Sequence, residues 1–85
     1  MTLAAYLAAI EDGSDGFECD VRLTSDSQIV CFHDPTTGRI SGRKIRISKS
    51  SLTELRQVTE ILTLEDLLDL AILNHKDLLI ETKHP

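Results

Sequence analysis

The stretch Phe17-Glu18-Cys19-Asp20-Val21-Arg22-Leu23 alternates apolar and polar side chains at every position. Successive side chains of a β-strand point to opposite faces, so this alternation predicts a strand with one apolar and one charged face. Residues 13–16 before it have the composition of a loop. Residues 25–28 after it form a turn pattern that leads into a second predicted strand over 29–32. Residues 17–32 therefore predict two consecutive strands joined by a short turn.

Helical patterns lie on both sides of these two strands. Apolar residues at helical spacing and capping patterns predict three helices, which begin after Thr2, Ser51 and Thr63. A last strand is predicted over 78–83, and residues 33–49 are expected to be irregular and polar. The predicted order is α-β-β-loop-α-α-β. Strands that are followed by crossover helices indicate an α/β fold with at least partly parallel pairing.

Length and charge exclude several classes of protein. The chain has 85 residues, whereas a complete (β/α)8 barrel needs about 250. The net charge of −5 argues against a nucleic-acid binder, and no apolar run approaches the roughly 18 residues of a membrane span. The two cysteines, Cys19 and Cys31, lie in apolar strand patterns and are interpreted as buried free thiols. They indicate a reducing compartment, and we expect the cytoplasm.

Acidic residues on strands are the first candidate functional feature. Glu18 and Asp20 are two positions apart and share one face of the first strand, and Glu81 lies near the end of the last strand with Lys83 on its face. Three carboxylates that converge at strand ends would suit Mg²⁺ or Ca²⁺, which prefer oxygen ligands. The alternative is a strand face that is simply exposed to solvent, as in many antiparallel sheets.

The second candidate feature is His33-Asp34-Pro35, where a strand ends in a polar loop. A histidine there can act as a general acid or base because its pKa lies near physiological pH. The alternative is a loop histidine that only helps Asp34 to fix the turn. The basic stretch over 39–49 could meet phosphate or could be a solvated loop, and residue chemistry alone leaves both pairs of alternatives open.

Six motifs in order resemble the glycerophosphodiester phosphodiesterase family. Together they cover nearly the whole chain, and their combination is more specific than any one of them. They are Thr2-Leu3-Ala4-Ala5, Asp15-Gly16 with Glu18-Cys19-Asp20-Val21-Arg22-Leu23-Thr24, His33-Asp34-Pro35-Thr36-Thr37-Gly38-Arg39, Leu52-Thr53-Glu54-Leu55, Thr63-Leu64-Glu65-Asp66-Leu67-Leu68, and Ile80-Glu81-Thr82-Lys83.

The resemblance implies roles for individual residues. It implies a divalent metal, Mg²⁺ or Ca²⁺, as cofactor and His33 as one of two catalytic histidines. It implies Lys83 as a basic residue lining the substrate site and Arg39 as a loop residue near it. The implied substrate is a glycerophosphodiester, which such an enzyme converts to glycerol 3-phosphate and an alcohol. The residues that match the family's metal ligands are Glu18, Asp20 and Glu81.

Departures from the family pattern limit what is expected of this chain. The family begins with a His-Arg-Gly strand that precedes the first motif found here, and that strand and its histidine are absent from these 85 residues. We expect residues 1–85 to form an incomplete domain, which is a partial TIM (β/α)8 barrel with a small inserted segment. We expect this chain to be inactive alone. We expect open sheet edges to make it a homo-oligomer. The alternatives are a non-catalytic oligomerising or binding module derived from that fold and, with less support, a related phospholipase D-type toxin.

Overall fold

The computed structural model describes residues 2–38 and 42–83. Within these residues, three α-helices, one turn of 3₁₀ helix and four strands that form one sheet are defined, so the predicted α/β class is confirmed. The helices are α1 (Leu3–Glu11), α2 (Leu52–Val58) and α3 (Leu64–Leu73), with the 3₁₀ helix at Ile47–Lys49. The strands are β1 (Gly16–Leu23), β2 (Ile29–Cys31), β3 (Leu62–Thr63) and β4 (Asp77–Thr82).

The sheet has the strand order β3-β2-β1-β4 and mixed pairing. β1 pairs in parallel with β4 on one side and antiparallel with β2 on the other. The two-residue strand β3 pairs antiparallel with β2. The parallel pair requires a crossover, which runs through α2 and α3. The predicted partly parallel sheet is therefore confirmed, with β3 as a strand that the sequence did not predict.

Capping side chains fix where the helices begin. The Thr2 hydroxyl accepts from the amide of Ala5, which starts α1. Ser51 forms a complete capping box with Glu54 at α2, and Thr63 forms an equally complete one with Asp66 at α3. These side chains satisfy backbone amides that have no partner inside the helix. All three predicted helix starts are confirmed.

Two apolar cores lie on opposite sides of β2. The first core is formed with α1 and α3, and its buried members are Tyr6, Phe17, Cys19, Val21, Cys31, Leu67 and Ala71. The second core lies under α2 and the 3₁₀ helix, and its buried members are Val30, Phe32, Ile47, Leu55 and Ile61. Val30 and Cys31 are neighbours in sequence and enter different cores because successive strand side chains alternate.

The segment over 33–49 is more ordered than the sequence indicated. Thr36 forms an isolated antiparallel bridge with Arg46, and Ile47–Lys49 is the turn of 3₁₀ helix. Ile47 is buried, with 1% of its surface exposed. The expectation of an irregular segment was therefore wrong for its described ends, because Ile47 anchors them in the second core.

β4 is the least covered strand of the sheet. Five of its six residues are exposed, and the sixth is half-buried. Leu79 is 65% exposed and Ile80 is 40% exposed, and their side chains lie on opposite faces. In the described parts of the chain, no helix is long and apolar enough to cross a membrane.

Candidate functional site

A pocket on one face of the β1–β4 pair contains the three acidic residues singled out in the sequence. Asp20 lies opposite Glu81 in the parallel register, and Glu18 lies opposite Leu79. All four line the pocket together with Cys19. Asp20 is buried, with 9% of its surface exposed, whereas Glu18 and Glu81 are exposed. The structure therefore brings the three predicted carboxylates to one place.

His33 stands at the edge of this pocket. Its Nε2 lies 3.8 Å from Oδ2 of Asp20, and its Nδ1 lies 2.8 Å from Oδ1 of Asp34. The imidazole side chain is 64% exposed, so it is open to solvent on the side away from Asp20. A histidine held by a carboxylate at one nitrogen has a fixed ring orientation, which suits it to move a proton at the other. The structure thus places His33 beside the predicted acidic residues.

Arg22 holds the backbone of His33 from the neighbouring strand. Its Nη2 donates to the His33 carbonyl at 2.8 Å and its Nε donates to the same oxygen at 3.2 Å. Sequence reasoning did not assign a role to Arg22. The available signal was its spacing, because Arg22 follows Glu18 and Asp20 on the polar face of the same alternating strand.

Lys83 is fixed to both strands of the pocket. Its amide donates to the Val21 carbonyl at 2.9 Å, which extends the β1–β4 pairing by one residue. Its Nζ donates to Oε1 of Glu81 at 3.1 Å. This hydrogen bond and the positive charge of Lys83 hold the pKa of Glu81 below its ordinary value, with smaller contributions from Asp20 and His33. Glu81 therefore keeps its negative charge in mildly acidic solution.

The carboxylate set has the donor chemistry that a hard divalent cation requires. Its side chains line a common pocket, but within residues 2–38 and 42–83 no three candidate ligands are gathered closely enough to hold a metal ion. The chemistry of the residues thus fits Mg²⁺ or Ca²⁺, and the spacing of the side chains is that of an open pocket. Arg39, the predicted loop residue of the substrate site, lies outside the described residues.

The two cysteines next to the pocket are poor nucleophiles. Both are free and buried, as the sequence predicted. Burial raises the pKa of each thiol, and it raises that of Cys31 to about 12, with a smaller contribution from the neighbouring Cys19. A thiol reacts as the thiolate, which is scarce at neutral pH when the pKa is that high. Cys19 therefore lines the pocket without contributing a reactive group.

The structure therefore brings a histidine, acidic residues and a lysine together at the end of a parallel strand pair in an α/β fold. The sequence matches the profile of the glycerophosphoryl diester phosphodiesterase family over residues 1–85. The chain belongs to that family. The resemblance inferred from the six motifs is confirmed.

Relatives and solved structures agree with this assignment. "Probable glycerophosphodiester phosphodiesterase 1" of Mycobacterium tuberculosis is 38% identical over 103 aligned residues, which cover 99% of this chain. The crystal structure of a glycerophosphodiester phosphodiesterase from Thermotoga maritima matches 98% of this chain with a TM-score of 0.90 at 35% identity. A phosphodiesterase from Oleispira antarctica, solved with sn-glycerol-3-phosphate, matches 96% of it with a TM-score of 0.85 at 28% identity.

The chain spans well under half the length of these proteins. It covers 38% of the Mycobacterium tuberculosis relative, 37% of the Thermotoga maritima chain and 38% of the Oleispira antarctica chain. The four-stranded sheet and its helices therefore correspond to part of a TIM barrel, as the sequence predicted. The pocket of Glu18, Asp20 and Glu81 belongs to that part.

Proposed function

We propose that the parent protein is a metal-dependent phosphodiesterase that hydrolyses glycerophosphodiesters to glycerol 3-phosphate and an alcohol. The observation that carries the proposal is the position of Asp20, which faces Glu81 across the strand pair and His33 at the pocket edge. The names of the relatives and the glycerol-phosphate complex of the Oleispira antarctica protein support the choice of substrate. An acidic pocket that can hold a cation, with the His33 imidazole beside it, suits the cleavage of a phosphodiester whose charge the cation neutralises.

Each residue receives a distinct role in this proposal. Glu18, Asp20 and Glu81 would hold Mg²⁺ or Ca²⁺, which when bound neutralises the phosphodiester and makes an attacking hydroxyl more acidic. His33 accepts or delivers the proton, and its Asp34 contact at Nδ1 leaves Nε2 facing the pocket. The Lys83 ammonium balances part of the carboxylate charge through its ion pair with Glu81, and it is proposed to bind a phosphate oxygen of the substrate. Arg39 is proposed to bind substrate on its sequence motif alone.

The 85-residue chain alone is proposed to be inactive. Three of the residues that line the pocket are exposed, namely Glu18, Leu79 and Glu81. The described residues therefore enclose the pocket on one side only. Preorganised electrostatics are worth far less in a site that water enters freely. The chain should nevertheless bind metal weakly, because three carboxylates line one pocket.

The first experiment measures metal binding and turnover on the same sample. Ligand that binds only the folded state raises the melting temperature, so millimolar Mg²⁺ or Ca²⁺ should stabilise the chain. Asp20→Asn should abolish the shift, and Asp69→Asn, which removes one exposed carboxylate from α3, should preserve it. A melting temperature that ignores both metals would contradict the proposed metal site.

Hydrolysis of glycerophosphocholine tests the chemistry separately. The full parent protein should turn over substrate only with metal, and His33→Gln should reduce kcat by about 100-fold or more because it removes a general acid or base. The 85-residue chain should show no turnover. Metal-independent hydrolysis by the parent would contradict the mechanism, and turnover by the short chain that Asp20→Asn abolishes would contradict its proposed inactivity.

A second proposed function is a non-catalytic oligomerising module. It is favoured by the exposed strand β4, where Leu79 is 65% exposed beside an unpaired backbone edge in the described sheet. Exposed strand edges invite pairing with another copy. Light scattering of the purified chain should then give a homo-oligomer that Leu79→Lys dissociates. A monomer at all accessible concentrations would overturn this proposal.

The proposed location is the cytoplasm. Cys19 and Cys31 are both unpaired, and oxidising compartments favour disulfides in proteins of this size. Fractionation of the source cell, followed by immunodetection of the chain, tests the location. Recovery in a secreted fraction would contradict it.

A further inference from the structure

The charge of the chain is strongly segregated. Residues 35–53 contain five of the nine basic residues and none of the fourteen acidic ones, which leaves four bases among fourteen acids in the rest of the chain. We call the described residues 35–38 and 42–49 of this segment the basic lobe, and they carry four of its five bases. A segment of charge +5 is thus attached to a remainder of charge −10. The five bases are Arg39, Arg43, Lys44, Arg46 and Lys49.

The backbone of the basic lobe is a short antiparallel ribbon. The amide of Thr37 donates to the Ile45 carbonyl, and the amide of Ile47 donates to the Pro35 carbonyl, both at 3.0 Å. The buried Thr37 hydroxyl accepts from the Ile45 amide at 3.1 Å and donates to a backbone carbonyl at the base of the turn. The described part of the lobe is therefore held in a defined shape, in contrast to a flexible charged loop.

The ribbon directs its basic side chains away from the protein. Ile47 is buried and Ile45 is half-buried, and both pack in the second core. Because side chains alternate along an extended segment, Lys44 and Arg46 lie on the outer face, and both are exposed. Lys49, at the end of the 3₁₀ helix, is exposed as well. The apolar face thus anchors the lobe while the charged face is presented to solvent.

These outward cations are not neutralised by the described protein. No carboxylate in residues 2–38 or 42–83 forms an ion pair with Lys44, Arg46 or Lys49, whereas Arg56 pairs with Asp66 and Lys83 pairs with Glu81. Lys44, Arg46 and Lys49 therefore offer positive charge to a partner without first breaking an ion pair within the described residues.

We propose that the basic lobe docks the protein on an anionic phospholipid surface. Lysine and arginine side chains near such a surface are attracted to it, and the attraction decays within the Debye length, about 8 Å at physiological salt. The longest extent of the molecule is 35 Å, so this attraction acts over only part of it. The interaction requires no hydrolysis and goes beyond the proposed function.

A membrane fits this surface better than a nucleic acid does. The lobe contains no aromatic residue on which a base could stack. A nucleic acid that extended past the lobe would meet the acidic remainder of the chain, whereas a planar surface can contact the lobe alone. The lobe begins at Pro35, two residues after His33, so docking would place the candidate site next to the lipid headgroups.

Co-sedimentation with lipid vesicles tests the proposal on the 85-residue chain, in chelator so that no metal contributes. The chain should bind vesicles of phosphatidylcholine mixed with phosphatidylglycerol, and should not bind pure phosphatidylcholine. Lys44→Gln/Lys49→Gln should weaken binding about 25-fold, since each cation contributes about fivefold. The matched control, Ala4→Glu/Ala8→Glu, makes the same change of net charge on exposed positions of α1 and should have a much smaller effect.

Several outcomes would overturn the docking proposal. Equal binding to neutral vesicles, or no loss in the lobe variant, would remove the lobe from the interaction. An equal loss in the α1 control would show that only net charge matters. Tighter binding to single-stranded RNA than to anionic vesicles would assign the surface to nucleic acid, and displacement by inorganic phosphate at constant ionic strength would assign it to free phosphate. Independently of any variant, binding by the unmodified chain must weaken steeply as salt is raised.

Discussion

β2 and β4 flank the same central strand, and they differ completely in their cover. Val30 and Cys31 on β2 are both 0% exposed, one in each apolar core. Leu79 and Ile80 on β4 also point to opposite faces, and they are 65% and 40% exposed. On one side of β1 the neighbouring strand β2 is therefore buried on both faces, and on the other side the edge strand β4 is exposed on both.

The difference shows that apolar sequence specifies a strand but not what covers it. Leu78-Leu79-Ile80 is a continuous apolar run, which is typical of a strand with two buried faces. β4 has that composition, yet the described chain supplies no layer over Leu79. The candidate pocket lies between β1 and the uncovered strand β4, whereas both apolar cores include residues of β2.

The largest expected effect on the free energy of unfolding comes from truncating a buried side chain that packs beside β2. Leu55 of α2 is 0% exposed under Val30 in the second core, so Leu55→Ala should lower the free energy of unfolding by about 2–5 kcal/mol. Leu79→Ala should change it by less than about 0.5 kcal/mol, because that side chain is mostly in solvent. Urea denaturation of both variants measures the contrast. If Leu55→Ala does not fold, Ile47→Val gives a smaller loss in the same core. Equal losses at Leu55 and Leu79 would contradict the comparison.

A smaller effect on the free energy of unfolding is expected where β4 pairs with β1. A Cβ added at Gly16 would lie 2.8 Å from the Asp77 carbonyl oxygen, closer than such atoms approach. Gly16→Ala should push β4 away from β1 and cost about 1–3 kcal/mol, as overpacked contacts do. Hydrogen exchange should then speed up in β4 while the amides of β2 stay protected. Uniform exchange changes across the sheet would show that the strands do not separate independently.

Local signals explain what was predictable from the sequence. The alternation over 17–23 and the caps at Thr2, Ser51 and Thr63 act within a few residues, so they specify β1 and the helix starts directly. β3 has two residues and exists only through its pairing with β2, so it has no pattern of its own.

The candidate site was predictable only in part because its contacts are long-range. Spacing places Glu18 and Asp20 on one face, but their meeting with Glu81 depends on the parallel register, to which the family resemblance pointed. The hydrogen bond from Arg22 to the His33 carbonyl joins residues that are eleven positions apart. The only sequence signal for it was the position of Arg22 on the polar face of β1. The basic lobe looked irregular because only Ile45 and Ile47 mark its inner face.

The smallest expected effect is a loss in the free energy of unfolding at alkaline pH, which should report the buried thiol of Cys31 on β2. Burial raises the pKa of Cys31 from 9.0 to about 12, so the folded state keeps its proton where the unfolded state loses it. The stabilisation is complete well below pH 9 and is lost as the pH rises toward 12, by about 1.4 kcal/mol at pH 10. Cys31→Ala should reduce this loss in urea titrations at pH 8 and pH 10.

Glu81 on β4 provides the opposite sign in the same experiment. Lys83 lowers its pKa, so its contribution is present above the ordinary glutamate pKa and is lost only as the solution becomes acidic. Because Glu81 is exposed, the acid limb should be shallow and should flatten in salt, whereas the alkaline limb from Cys31 should not. An alkaline limb that salt removes, or that Cys31→Ala leaves unchanged, would show that burial at β2 is not its cause.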